Sequence, residues 1–168
     1  ISGATWTPQG RFGNALSFNG LSALVVIASS PSLNLPSAMT LEAWVYPTVT
    51  PTGWRTILQK EVDAYFLHAG SSAGTPASGG TVNGSCCPVA YAPTALTPNT
   101  WTHVASTYDG AQLRLFINGV QVSSIPVTGT LETNPTPLRI GGNSPYGEFF
   151  QGRIDEVRIY NRALTPTE

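Results

Sequence analysis

The 168-residue sequence predicts an all-β domain of two packed antiparallel sheets, on three observations. Seventeen glycines and fourteen prolines disfavour long helices. Thr, Val and aromatic residues recur in short runs that suit strands. No stretch of a dozen residues places apolar side chains at helical spacing, and no tandem repeat is present. With 41% apolar residues the chain can bury one real core, and it is short for two domains, so residues 1–168 are read as a single domain.

Taken in order, residues 15–18 and 24–27 open the strand set. Residues 39–46, Met-Thr-Leu-Glu-Ala-Trp-Val-Tyr, end at Pro47, which has no N–H for a ladder. Residues 101–108 make another strand, closed by the turn Asp109-Gly110. Residues 112–117 and 120–125 flank Asn118-Gly119, the strongest short-range hairpin signal, because both residues tolerate positive φ. Residues 138–140 and 153–160 complete the set, and short connections of this kind fit a sandwich or jelly roll. Trp44, Trp101 and Phe116 fall inside strand patterns and are expected in the core. In 69–98, Gly, Ser, Thr, Ala and Pro dominate, and no strand is predicted there. So long an irregular stretch is either a binding loop or a mobile ornament.

Charge narrows the partners. Only 10% of residues are charged, eight basic and nine acidic, against about a quarter in an average chain. Lys60 is the only lysine. No basic cluster could neutralise a row of phosphates or grip an anionic bilayer, so nucleic acid is not expected as a partner. The longest apolar run, 24–28, is far below the roughly 20 residues a spanning helix needs, and no leader opens the chain, so no membrane insertion is expected. Ile1 does not look like a natural start, and the chain is read as a fragment of a larger protein.

Five ordered blocks have a family look. They are Phe12-Gly13-Asn14-Ala15-Leu16-Ser17-Phe18-Asn19-Gly20, Met39-Thr40-Leu41-Glu42-Ala43-Trp44-Val45, Trp101-Thr102-His103-Val104-Ala105 with Thr107-Tyr108-Asp109-Gly110, Leu115-Phe116-Ile117-Asn118-Gly119, and the run from Gly152 to Leu164. Together they resemble the laminin G-like domains of the concanavalin A-like lectin and glucanase superfamily. The resemblance implies a jelly roll of two curved antiparallel sheets, used mostly as an accessory module of secreted or cell-surface proteins, many of them bacterial. It also implies a further N-terminal strand that this chain is expected to lack. The sheet edge left open would then invite weak self-association.

Alternation in 153–160 places Asp155, Val157 and Ile159 on one face, with Ile154, Glu156, Arg158 and Tyr160 on the other. A carboxylate in apolar company needs hydrogen bonds, a cation or a metal. Similar domains often hold a structural calcium between the first block and the last-strand Asp. The residues at those positions here are Asn19, Gly20 and Asp155, with uncharged Asn19 where the family often has Asp. The other reading gives Asp155 backbone amides as partners.

Adjacent Cys86 and Cys87 can close a vicinal disulfide, stay reduced or pair with another chain, and outside the cell the ring is expected. It would serve as part of a ligand floor or as a loop stiffener. The pair lacks the gap and the second pair of a zinc site. Trp54, Tyr65, Tyr91, Tyr146, Phe149 and Phe150 lie near Gly, Pro or Asn punctuation. Their flat faces could pack against sugar rings while His68, on the strand face of Phe66, bonds a hydroxyl; otherwise they fill the core.

Catalysis is not expected. Hydrolases of the same superfamily typically carry Glu-x-Asp-x-x-Glu on one strand. Glu61-Val62-Asp63 offers the first half, but Phe66 stands at the third position. No nucleophile elbow, zinc helix or phosphate loop is present. A non-catalytic carbohydrate-binding module for polysaccharide or glycan is therefore expected. The alternative is an adhesion or spacer module that binds protein or has a structural role alone.

Overall fold

A computed structural model describes residues 1–165 and 167–168. Alternation along the strand Met39–Pro47 sets the layers: Leu41, Ala43 and Val45 are fully buried, while Glu42, Trp44 and Tyr46 are half-buried on the opposite face. In chain order the strands are β1 (Thr5–Thr7), β2 (Ala15–Asn19), β3 (Val25–Ile27), β4 (Met39–Pro47), β5 (Arg55–Lys60), β6 (Tyr65–Gly70), β7 (Ala77–Gly79), β8 (Val89–Tyr91), β9 (Thr102–Tyr108), β10 (Gln112–Ile117), β11 (Val120–Pro126), β12 (Leu138–Ile140) and β13 (Gln151–Tyr160). They form a seven-stranded sheet, β1-β2-β13-β4-β9-β10-β11, and a six-stranded sheet, β3-β12-β5-β6-β7-β8. Every pairing is antiparallel within both sheets.

Leu41, Val45, Leu115 and Ile154 of the larger sheet meet Ile57, Leu58, Tyr65 and Leu67 of the smaller one in a single core. Burying each such aliphatic side chain is worth roughly 1.5–3 kcal/mol. The hairpin at Asn118-Gly119 forms as expected, with φ of 50° and 78°. Lys60 is 1% exposed at the edge of this core. Its Nζ donates to Ser29 Oγ at 2.9 Å, to the Asn134 carbonyl at 3.0 Å and to the Thr136 carbonyl. Burial holds its pKa below the ordinary lysine value, against the pull of Glu61.

Four expectations change. The stretch 69–98 is irregular over most of its length but also supplies β7, β8 and a tight turn at Asn83-Gly84, with Val82 and Ser85 bonding each other in both directions. The strand expected to be missing is present as β1, which pairs with β2, so the β2 edge invoked for self-association is covered. Trp44 and Trp101 are outside the core, on the outer face of the seven-stranded sheet, where Trp44 meets His103 at 5.3 Å and Tyr46 meets Trp101 at 5.5 Å. Phe116, although buried, shares that outer face through its pairing with Ala105, itself paired with Glu42.

The fourth change concerns β13. Glu156 has φ of 50°, and the register with β4 shifts between Asp155 and Arg158. This bulge breaks the alternation. Asp155 therefore lies opposite Trp44 on the outer face, while Ile159 lies opposite Leu41 over the core.

Candidate binding cleft

The outer face of the six-stranded sheet carries a cleft of about 410 Å³, within the range of small-ligand sites. Register explains its floor. On β6, Tyr65, Leu67 and Ala69 point into the core, leaving Phe66 and His68 on the other face. A shift in the β5 pairing lets Ile57 and Leu58 both be buried. Thr56 and Gln59 consequently stand opposite His68 and Phe66 on the cleft face. Gly79, paired with Phe66, leaves room for the ring, because a Cβ there would lie 2.6 Å from Phe66 Cζ.

Trp54, just ahead of β5, makes one wall. Its ring stands edge-on to Phe66 at 6.0 Å and to His68 at 5.3 Å, and reaches Tyr91 at the end of β8 at 6.4 Å. Cys86 and Cys87 form a disulfide on the rim, and both line the cleft. The Asp63 carboxylate lies within 4.8 Å of both sulfurs. The S–S bond uses up the thiolates that a metal would need there.

The opposite wall is polar. Val62 and Asp63 turn the β5–β6 connection with φ of 59° and 56°. Asp63 Oδ1 accepts from Gln59 Nε2 at 2.6 Å, and its Oδ2 accepts from the Tyr146 hydroxyl at 3.2 Å. Asn143, fully buried, gives its amide to Gln59, Thr56 and Glu148, while its Oδ1 accepts the Tyr146 N–H at 2.9 Å. Burial raises the Glu148 carboxyl above its ordinary pKa, opposed by the Asn143 hydrogen bond and helped by the Asp63 charge. Burial, then Asp63, likewise raises Tyr146.

His68 is the unusual group. It is 2% exposed, and neither ring nitrogen has a hydrogen-bond partner. The Glu148 Oε2 atom is 3.9 Å from Nε2, beyond hydrogen-bond reach. Burial lowers its pKa to about 3, so the imidazole is neutral at neutral pH. It offers one N–H and one lone pair. Unpaired buried polar groups cost free energy, and both of these nitrogens lie enclosed beneath the cleft floor.

Trp54, His68, Cys86, Cys87, Tyr91 and Tyr146 are thus brought together. Tyr65 and Phe149 are not. Tyr65 faces the core and its hydroxyl donates to the Leu33 carbonyl at 3.0 Å. Phe149 packs over Gly142 and lines a separate cavity of about 100 Å³ with Gly20 and Arg55. Phe150 is fully buried in the core. Phe66, Asp63, Val89 and Glu148 line the cleft without having been singled out as ligand groups. One signal could have found this side of the molecule: Asn83-Gly84 repeats the hairpin dipeptide used at Asn118-Gly119.

The calcium ligands do not assemble. Asn19 pairs with Gln151, whereas Asp155 lies beyond the Ile154–Leu16 pair at the other end of the β2–β13 ladder. Asn19 Oδ1 already accepts the N–H groups of Leu21, Ser22 and Ala23 at 2.9–3.0 Å. Asp155 Oδ2 accepts the N–H groups of Arg11 and Phe12 at 2.8 and 2.9 Å, and its Oδ1 that of Glu156 at 2.8 Å. These oxygens are filled by donors, and a hard cation needs six to eight free ones. Asn19, Gly20 and Asp155 do not fit a shared calcium. Asp155 matches the reading in which backbone amides are its partners.

A family model described as the concanavalin A-like lectin/glucanases superfamily (Laminin_G_3) matches residues 19–168. Pappalysin-1 of Mus musculus is 33% identical over 75 residues, covering 42% of this chain and 5% of that protein. The chain therefore spans a small part of that relative's length. Among solved structures, domain 4 of AbnA, a GH43 extracellular arabinanase from Geobacillus stearothermophilus, in complex with arabinotriose, superposes with a TM-score of 0.79 at 24% identity, over 98% of this chain and 78% of that one. The binding domain of Paraclostridial Mosquitocidal Protein 1 gives 0.77 at 18%, over 99% of this chain and 44% of that one. Both likenesses show the fold alone. No helix among the described residues is long and apolar enough to cross a membrane.

Proposed function

We propose that this chain, which belongs to the concanavalin A-like lectin/glucanases superfamily, is a carbohydrate-binding module without catalytic activity, serving a secreted or cell-surface protein. The observation that carries the reading is the aromatic cleft over His68. Trp54 and Tyr91 provide faces for the C–H surface of a sugar ring, and Phe66 backs them. Asp63, Glu148 and the Tyr146 hydroxyl provide fixed hydrogen-bonding groups for ring hydroxyls. The arabinotriose complex of the structurally similar arabinanase domain supports the ligand class.

Two carboxylates in one cleft invite a hydrolase reading, since glycosidases use such pairs. Their engagement argues otherwise. Both Asp63 oxygens accept hydrogen bonds, from Gln59 and from Tyr146, which fix the carboxylate in place. Glu148 Oε2 is held by Asn143 and Thr56. Both carboxylates act as positioned acceptors.

Retention of the folded domain on a panel of immobilised glycans and insoluble polysaccharides tests the proposal. Specific retention, lost in Trp54→Ala, is the expected result. No retention on any member overturns it in favour of a spacer module.

A further inference from the structure

We propose that Asp63 and Glu148 give the cleft a charge preference: sugar rings bearing an ammonium group bind ahead of neutral rings, and rings bearing a carboxylate or sulfate bind behind both. This rests on the reading of the cleft as a glycan site and specifies which sugars it takes.

The charge bookkeeping is local. Elsewhere in the molecule, Glu42, Glu61, Asp109, Glu156 and Glu168 each lie within 4.0 Å of a basic side chain, and Asp155, which has none, is held by three backbone N–H groups. Asp63 and Glu148 have only neutral hydrogen-bond donors: Gln59 and Tyr146 for the first, Asn143 and Thr56 for the second. No lysine or arginine lines the cleft. The cation that acts on Glu148, Arg55, donates to the Trp54 carbonyl at 2.8 Å and lines the separate small cavity with Phe149. It leaves the cleft side of both carboxylates uncompensated.

Two further features suit a cation. The rings of Trp54, Phe66 and Tyr91 present π faces, which attract ammonium groups. His68, 2% exposed and lacking a partner at either nitrogen, brings no positive charge to repel one. A unit charge about 5 Å from a carboxylate, at the effective dielectric of a protein surface, changes affinity by about tenfold or more. The same arithmetic with reversed sign weakens a uronate by a similar factor.

The experiment compares matched oligosaccharides that differ only in charge: amino sugar, neutral sugar and uronate versions of each backbone on the panel, with affinities measured by calorimetry at low salt. The expected order is amino over neutral by about tenfold, and neutral over uronate by a similar factor. Asp63→Asn and Glu148→Gln, separately and together, should shrink that ratio stepwise towards parity. Unfolding midpoints identify which variants are folded and can be scored. Equal or stronger binding of neutral rings than of amino sugars, or uronate binding equal to or above that of neutral rings, overturns the charge preference while leaving the carbohydrate reading intact. Failure of every oligosaccharide to bind overturns both.

Discussion

The Phe66 ring occupies the space that a side chain on Gly79 would fill: the two residues are register partners, and a Cβ on Gly79 would lie 2.6 Å from Phe66 Cζ and 2.6 Å from the Pro88 carbonyl oxygen. Neither side can yield cheaply, because the carbonyl is backbone. Gly79→Ala should therefore cost about 1–3 kcal/mol, the usual penalty of overpacking, and tilt Phe66 out of the cleft floor. Denaturant unfolding reads the first effect and glycan retention the second. An unchanged midpoint would show that β7 and Phe66 have slack that the geometry denies.

Trp54 is half-buried and belongs to the wall, outside the core cluster. Trp54→Ala should weaken glycan binding by about tenfold, on the scale of a lost aromatic stacking contact. It should move the unfolding midpoint much less than a core truncation such as Leu67→Ala, which is expected to cost about 2–5 kcal/mol. The measurement is calorimetric affinity alongside chemical unfolding.

His68 and Glu148 give opposite pH dependences. The folded His68 titrates near about 3 against an ordinary 6.5, so between those values the unfolded chain binds the extra proton. Stability from this group is present above pH 6.5 and is lost as pH falls towards 3, by at most about 1.4 kcal/mol per pH unit. Glu148 has a raised folded pKa. It binds its proton more tightly when folded, and its contribution is lost as pH rises from the unfolded carboxylate range through that raised value. His68→Gln should flatten the acid limb of stability against pH, and Glu148→Gln should steepen it. Unfolding midpoints between pH 4 and 7 check both signs.

The Cys86–Cys87 bond joins neighbours and closes almost no chain between them, so the loop-entropy account of disulfide stability gives it little to contribute. Reduction by a dithiol should raise the intact mass by two daltons and leave the unfolding midpoint within about 1 kcal/mol. It should also weaken glycan retention, because the rim of the cleft loses a fixed plate. Unaltered retention would reduce the bond to a loop stiffener.

Incubation with retained oligosaccharides should release no new reducing ends. Release abolished by Glu148→Gln would make the domain a hydrolase and Glu148 its acid.

Apart from β1, the strands of the larger sheet were legible because their signals are local. Pro47 closes β4, Asn118-Gly119 turns β10 into β11, and alternation runs unbroken through β4. The β5–β8 side was harder to read. Its β7 segment is Ala-Ser-Gly, fully buried yet without a β-branched or aromatic residue, and its propensity is overridden by the two neighbours that pair with it. Bulges defeated the reading of faces: one residue inserted at Glu156 reverses the sense of Asp155, and nothing in the sequence marks it. Within the cleft, turn context picked out Trp54, Tyr91 and Tyr146 but also Tyr65, Phe149 and Phe150, which lie elsewhere, and it passed over Phe66. Glu148 and Asp63 could not, since they reach one cavity from a loop and a turn 85 positions apart in the chain.

Lys60 carries a consequence of another kind. Its ammonium, enclosed by three oxygens and 1% exposed, is the only lysine amine in the sequence. The amine of an accessible lysine attacks the open-chain carbonyl of a reducing sugar and loses water to form a Schiff base that matures into a permanent adduct, a slow corrosion for any protein held against open-chain carbohydrate. With this amine sealed inside, the ends of a polysaccharide meet no lysine that they can glycate.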